Sequence, residues 1–260
     1  MLLSVDSRLL LATLIITMRL ATMLALAPLM DRRSVPLIWR LAVAVPLAWA
    51  VAPAAMVYMP AASGDITWHM LVLEGVNSLI IGALLTFAIN LVIAAVRYAG
   101  SLAGMQVGFA IVNAYDPQTN SQISIIAHFY YLLSALLFFA FDVHHHLIQA
   151  LVLSFQAVPP FHAPDFVNAT GLILRAYSDV FMLGLRVAAP VAVVLLLVSA
   201  AMGVVVKTAP QIHVLVVGFP VKIAVGIFVL GTSLVHFRGV VERSFAATED
   251  LLTRVLAALA

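Results

Sequence analysis

Apolar residues along the chain fall into six long stretches separated by short polar or proline-containing breaks. The stretches cover, in order, residues 8–30, 37–59, 69–96, 125–157, 182–206 and 214–237. A helix needs about 20 apolar residues to cross the hydrocarbon core of a bilayer, so each stretch is long enough for one crossing. The pattern predicts an all-α polytopic membrane protein with about six long hydrophobic helices.

The connections between the stretches carry the residues that usually end helices. Charged residues and proline at 31–36, and proline, serine and glycine at 60–65, separate the first three stretches. Polar residues and prolines at 117–120, 159–165 and 207–213 separate the others. Proline and turn-forming residues stop helices for steric reasons, and none of these connections is long enough to hold a soluble domain.

Two segments depart from the simple pattern of one stretch and one span. The stretch 125–157 is longer than one crossing needs and is polar at Asp142 to His146, so it is either one helix or two. After Arg238, apolar residues recur at helical spacing between charged ones, which predicts an amphipathic tail helix over residues 241–260. Residues 1–260 as a whole are expected to form a single membrane domain.

Composition supports the membrane class. The chain is 64% apolar and only 9% charged, whereas ordinary soluble domains are about 45–50% apolar. The mean hydropathy is +1.14 and the net charge is +2 without a basic run, so no nucleic-acid partner is expected. The absence of cysteine from the sequence excludes disulfides, thiolate metal sites and cysteine nucleophiles. Arg32 and Arg33 make the first connection basic, which favours a cytoplasmic location for it.

Three groups of residues form motifs that together span nearly the whole chain. They are Arg19, Pro28, Pro36 and Arg40; Ala99-Gly100, Met105 to Pro117, Phe129-Tyr130-Tyr131, Phe138 and His145; and Ala189-Pro190, Met202-Gly203, Lys207, Ala209-Pro210-Gln211, Gly218-Phe219-Pro220 and Lys222. In combination they resemble the FliR family of the type III protein-export gate, which includes injectisome counterparts. The step Asp116-Pro117-Gln118 favours the flagellar branch, whereas Asp31-Arg32-Arg33 and the three consecutive histidines depart from the family pattern.

The resemblance implies a function and a set of partners. It implies a FliP-like part over about residues 1–180 and a FliQ-like helical hairpin over about 181–240. It also implies an inner-membrane component of the flagellar basal body, assembled with FliP and FliQ homologues, contacted by an FlhB homologue and surrounded by lipid. Unfolded flagellar subunits would pass through the resulting channel. No catalytic activity, cofactor or metal is expected.

The sequence MQVGFAIVNAYD, residues 105–116, is a candidate plug for that channel. It follows a helix, precedes Pro117 and is mainly apolar. Hydrophobic constrictions close pores by excluding water, and the resemblance implies a closing loop in this region. The candidate plug residues are Met105, Phe109, Ile111, Val112 and Tyr115. The alternative is an ordinary connection between helices.

A second set of residues is predicted to make assembly or pore-entrance contacts. The set comprises Arg19, Lys207, Pro210, Gln211, Pro220 and Lys222. A charge inside an apolar span is a functional candidate by default, so Arg19 is expected to pair across helices unless it reaches the membrane edge. Lys207 and Lys222 flank the last connection and serve either the pore entrance or anchoring at the membrane edge. Glu74, Asn77, Asn90 and Arg97 are also interpreted as assembly contacts.

Other functions have weaker support in the sequence. Three consecutive histidines on a helix point about 100° apart and cannot all converge on one ion, so His144, His145 and His146 are interpreted as polar residues at a helix break. A small-molecule transporter would show an internal repeat and clustered polar residues near mid-membrane. An intramembrane hydrolase would show a nucleophile with its base, or a metal set. Neither pattern is present in the sequence.

Overall fold

The structure, a computed structural model, describes residues 7–28, 35–58, 67–108, 124–209 and 214–260. Within these ranges the regular elements are helices: α1 (Ser7–Leu26), α2 (Leu37–Met56), α3 (Trp68–Val107), α4 (Ile125–Ala140), α5 (Val143–Ala157), α6 (Phe166–Thr208) and α7 (Val214–Leu259). Five of them, α1, α2, α3, α6 and α7, are long and apolar enough to cross a membrane, and α4 with α5 makes a sixth if counted as one broken span. The prediction of an all-α polytopic membrane protein is confirmed.

Three helices extend beyond the apolar stretches from which they were predicted. Helix α3 continues past residue 96 to Val107, and α7 continues through Arg238 to Leu259. Helix α6 begins near Asp165, whose Oδ1 accepts a hydrogen bond from the Val167 N–H at 3.0 Å. A charged residue at the edge of an apolar stretch does not by itself end a helix. An aspartate whose side chain accepts a hydrogen bond from a backbone N–H of the first turn favours the start of a helix. The predicted tail is therefore the last part of α7.

The long stretch 125–157 forms two helices. Helix α4 ends at Ala140, and α5 begins at Val143 after a break at Phe141-Asp142. Asp142 has a φ of 55°, in the left-handed region that aspartate tolerates better than most residues. A single residue in this conformation is enough to interrupt the helix. The break lies at the polar positions that the sequence marked as a possible kink.

The chain divides into two compact units that cut across the order of the helices. Unit 1 contains Met1–Leu91, Asp142–Ala176 and Ala246–Ala260, and unit 2 contains Val92–Phe141 and Tyr177–Phe245. The division into a FliP-like part and a FliQ-like hairpin stays a prediction.

Small residues pack α2 into the core of unit 1. One side of α2 carries four fully buried alanines, Ala44, Ala48, Ala52 and Ala55. Larger buried residues of the same core come from α1, α3, α5 and the end of α7, and include Ile16, Leu85, Leu151 and Leu256. Alanine lets helix backbones approach closely. In a membrane, where no hydrophobic effect drives helices together, this close van der Waals packing stabilises their association.

Side chains from neighbouring helices complete the C-terminal end of α1. Arg40 Nη1 of α2 donates to the Ala25 carbonyl oxygen at 3.1 Å. Asn90 Nδ2 of α3 donates to the Leu26 carbonyl oxygen at 3.0 Å. The last carbonyl groups of a helix have no partner within it, and side-chain donors remove that cost where water is scarce.

Aromatic side chains and an arginine organise unit 2. The Tyr130 ring of α4 lies 4.9 Å, centroid to centroid, from the Phe237 ring of α7. On the same helix, the Tyr131 ring is covered by the guanidinium of Arg97, whose central carbon lies 4.8 Å from the ring centroid. Such contacts hold a charged group against an apolar surface, so Arg97 is accommodated without a break in α3.

Candidate functional site

A buried polar group joins α1, α3 and α5 inside unit 1. Arg19 of α1 is fully buried, and its Nη2 lies 3.4 Å from Oε1 of Glu74 on α3. Its Nη1 donates to Ser154 Oγ of α5 at 2.8 Å. The guanidinium carbon lies 4.0 Å above the Phe155 ring centroid. These four residues, called the Arg19 cluster below, show the inter-helix pairing expected of Arg19.

Glu74 also anchors the connection between α5 and α6. Its Oε2 accepts a hydrogen bond from the Phe161 N–H at 2.8 Å, and its Oε1 accepts one from Ser78 Oγ at 3.0 Å. One turn further along α3, Asn77 Nδ2 donates to the His162 carbonyl oxygen at 3.1 Å. Arg19, Glu74 and Asn77, which were predicted to make assembly contacts, therefore bond within unit 1, and their roles in assembly stay predictions.

The candidate plug segment is held at both of its ends within unit 2. Met105 lies in the last turn of α3 and is 57% exposed, so the helix includes the start of the predicted plug. The other candidate plug residues, Phe109, Ile111, Val112 and Tyr115, lie outside the described residues. On the far side of residues 109–123, α4 begins after Ser124, whose side chain accepts a hydrogen bond from the Ala127 N–H.

Glycines let the two ends of the plug segment approach each other. A Cβ placed on Gly104 of α3 would collide with Oγ of Ser124, so the end of α3 and the start of α4 are in contact. Gly108 has a φ of +100°, a conformation that side chains other than glycine rarely adopt, and it lies against the Phe219 ring of α7. The end of α3 and the start of α4 therefore lie side by side in unit 2.

Replacing Gly100 by alanine is expected to destabilise unit 2. A Cβ at this position would lie 2.5 Å from Cα and 2.9 Å from N of Ala127, which is backbone and cannot rotate away. We expect Gly100→Ala to lower the free energy of unfolding by about 1–3 kcal/mol. The measurement is thermal unfolding of the purified protein in detergent.

Gly203 supplies the matched control for that substitution. It also lies in a helix of unit 2, but a Cβ added there would have no neighbour within 4 Å. Gly203→Ala should leave stability unchanged or raise it by up to about 1 kcal/mol, because alanine has the better helix propensity. Equal unfolding temperatures for the two variants would show that the contact between α3 and α4 is looser than the structure indicates.

The residues predicted at the pore entrance flank residues 210–213. Lys207 is exposed in the last turn of α6, where a cation also complements the helix dipole. Pro220 is exposed inside α7, and Lys222, two residues later, is half-buried. Pro210 and Gln211 lie outside the described residues. The role of this set in assembly or export stays a prediction.

The three consecutive histidines take two different directions at the start of α5. His146 Nδ1 lies 2.7 Å from Oε2 of Glu249, in the last part of α7. His145 Nδ1 lies 3.3 Å from Oδ1 of Asp142, and the His144 ring is 4.2 Å from the His145 ring. This geometry agrees with the sequence argument that three consecutive histidines do not share one ion, and it places Asp142 beside His145 and His144.

Comparison with known proteins identifies the family. Residues 10–248 match the family described as bacterial export proteins, family 1. This chain belongs to the FliR family. Flagellar biosynthetic protein FliR of Pectobacterium carotovorum is 32% identical over 93% of this chain and 91% of its own length. The FliR proteins of Escherichia coli (30% identity, 93% of this chain and 91% of the relative) and Bacillus subtilis (32% identity, 95% of both) are similarly related.

The region that matches the FliR family contains both sites described above. Residues 10–248 include Arg19, Glu74 and Ser154, and they include the candidate plug, residues 105–116. The long apolar helices and the FliR family together give this chain a membrane location. The prediction of the family is confirmed.

Proposed function

We propose that this chain is the FliR-type component of a flagellar type III export gate, located in the bacterial inner membrane at the flagellar basal body. The observation that carries the proposal is the agreement with proteins named flagellar biosynthetic protein FliR over more than nine tenths of both chains. Those names favour the flagellar system over the injectisome alternative. They give no support to a small-molecule transporter or a hydrolase.

The exposed apolar faces of α6 and α7 support assembly with other helices. Leu196 and Leu197 of α6 are 60% and 62% exposed, and Phe228 and Val235 of α7 are 71% and 79% exposed. A bilayer covers some of such a surface, and partner helices cover the rest in a gate built from several proteins. In the proposed gate the partners are FliP and FliQ homologues, with an FlhB homologue bound to them.

Residues 105–116 are the proposed closing element of the channel. The described residues on either side support this placement, since α3 ends at Val107, α4 begins at Ile125, and Gly104 of α3 lies against the Ser124 side chain. The apolar residues of the closing element exclude water when no substrate is present. The Arg19 cluster has a different task in this scheme, since it holds α1, α3 and α5 together within unit 1.

Loss of the gene is the test of the proposed function. We expect deletion of the gene in its own organism to abolish swimming and to leave cells without external filaments, because subunits cannot leave the cytoplasm. Re-expression of the intact chain should restore both. The readouts are motility in soft agar and filament counts by electron microscopy. Normal filaments in the deletion strain would refute the proposal.

Co-purification tests the partners separately from the function. When the tagged chain is expressed with the FliP and FliQ homologues of the same organism, the three proteins should leave a sizing column together in detergent. Expressed alone, the chain should be recovered in lower yield and unfold at a lower temperature in detergent than in the complex, because its apolar faces lack the cover of partner helices. A monodisperse monomer that ignores both homologues would leave the flagellar role standing and would exclude this mode of assembly.

A further inference from the structure

An acidic residue and two imidazoles meet at the N-terminal end of α5, within unit 1. Asp142, His144 and His145 each offer one potential ligand atom, and these atoms all lie within 4.8 Å of one another. The Asp142 and His145 side chains are 65% and 63% exposed, so they are free to move by the small amount that coordination requires. Ligands of a tetrahedral zinc ion, at about 2.1 Å from the metal, lie about 3.4 Å apart.

Asp142 is placed for a role other than capping the helix. It occupies the N-cap position of α5, where an aspartate side chain ordinarily accepts a hydrogen bond from the first turn. Its side chain makes no such bond, and Oδ1 instead faces His145 Nδ1 at 3.3 Å. The backbone carbonyl of Asp142 accepts from the His145 N–H at 2.8 Å, so the first turn is already held. The carboxylate is therefore not needed to cap the helix, and it lies beside His145, where the two side chains can share a cation.

We propose that Asp142, His144 and His145 form a binding site for a divalent transition-metal ion of the zinc type. Two imidazole nitrogens and one carboxylate oxygen suit zinc, nickel or copper, whereas calcium and magnesium prefer sites made of oxygen alone. Three protein ligands leave one coordination position for water or for a group from another molecule. A bound ion would tie the residue at the helix break to the first turn of α5.

The third histidine, His146, lies outside the proposed site because it contacts Glu249 instead. His146 Nδ1 lies 2.7 Å from Glu249 Oε2, so its ring is directed towards α7 and away from the proposed ion. With one carboxylate and two neutral imidazoles as ligands, a bound divalent ion leaves a site charge of about +1. The N-terminal end of α5 carries the positive end of the helix dipole, which repels that charge. The Asp142 carboxylate therefore contributes more to binding here than a carboxylate would at a site away from a helix N-terminus.

The test is titration of the purified full-length chain, carrying a tag without histidine, with Co²⁺ followed by Zn²⁺. We expect one equivalent of Co²⁺ to give a visible absorption band that Zn²⁺ removes and Mg²⁺ does not. Asp142→Asn and His145→Ala should each weaken Zn²⁺ binding by at least about tenfold, as loss of a ligand exceeds the effect of losing its supporting contacts. All variants should match the parent by sizing column and circular dichroism, since the altered side chains are exposed.

His146→Ala is the matched control, because it removes an adjacent imidazole that lies outside the proposed site. It should change Zn²⁺ binding less than about threefold if the structure assigns the ligands correctly. Equal weakening by His145→Ala and His146→Ala would show a nonspecific histidine run and overturn the proposal. Zn²⁺ binding that Asp142→Asn leaves unchanged, or no stoichiometric Co²⁺ band in the parent chain, would overturn it as well.

Discussion

Glu74→Ala is expected to be the most destabilising single substitution within the Arg19 cluster. It removes the carboxylate beside a fully buried guanidinium and also leaves the Phe161 N–H without its acceptor. Breaking a buried ion pair by deleting one partner costs about 3–5 kcal/mol, because the remaining charge stays buried without compensation. That is a large part of the roughly 5–15 kcal/mol that stabilises a typical folded domain. The chain should purify in low yield and unfold at a much lower temperature.

Removing both charges tests whether the cost arises from the unpaired arginine. In the double variant Arg19→Met and Glu74→Met, no buried charge remains, and well-packed apolar replacements of ion pairs are often nearly neutral. Stability should therefore recover to well above that of Glu74→Ala. Glu249→Ala is the control on an exposed ion pair and should cost less than about 1 kcal/mol. A double variant at least as unstable as Glu74→Ala would point to lost packing or lost hydrogen bonds instead.

Deleting Gly108 to Asn113 is expected to make cells with an assembled gate permeable to small solutes. The deletion removes Phe109, Ile111 and Val112, and the remaining chain still has to join Val107 to Ser124. A pore wide enough for an unfolded polypeptide conducts ions and small molecules unless an apolar barrier excludes water from it. The measurement is uptake of an otherwise excluded dye, together with the membrane potential.

Replacing apolar residues of the segment by serine, without shortening it, distinguishes loss of the apolar barrier from the effect of a shorter connection. Changing Phe109, Ile111 and Val112 to serine keeps the number of residues and removes only the apolar surface, so it should leak nearly as much as the deletion. Assembly is checked by co-purification with the FliP and FliQ homologues. Unchanged permeability in an assembled deletion variant would make residues 109–123 an ordinary connection between α3 and α4.

The all-α class and the approximate number of membrane-crossing stretches followed from the sequence, because apolar length is a direct physical requirement of a bilayer. The helix ends were harder to place. Polar residues such as Arg97 and Arg238 lie at the ends of apolar stretches, yet α3 and α7 run through them. Arg97 is accommodated over an aromatic ring, a contact that depends on packing and that no local pattern reveals.

The Arg19 cluster shows why a site can be recognised only in part from sequence. Arg19 was conspicuous because a charge inside an apolar stretch needs a partner. Its partner Glu74 is 55 residues away and Ser154 is 135 residues away, so sequence proximity pointed to neither. The three histidines show the opposite difficulty. Their spacing argues against one shared ion, and the sequence alone does not indicate that Asp142, one residue before the helix, lies close to two of them.

Unit 1 is built from three separate parts of the sequence, so its core is completed only after the C-terminal part has been synthesised. Leu252 and Leu256, near the end of α7, pack in the same core as Ile16 of α1, and the Asp165 N–H donates to the Leu259 carbonyl oxygen at 3.2 Å. Helix α1, which ends at Leu26, must therefore wait in the membrane until the ribosome has translated 226 further residues, as far as Leu252. During that interval its unfilled groove is open to membrane chaperones and proteases. A product that stops before residue 252 would keep that groove open permanently, which gives the cell a means to distinguish incomplete chains from finished ones.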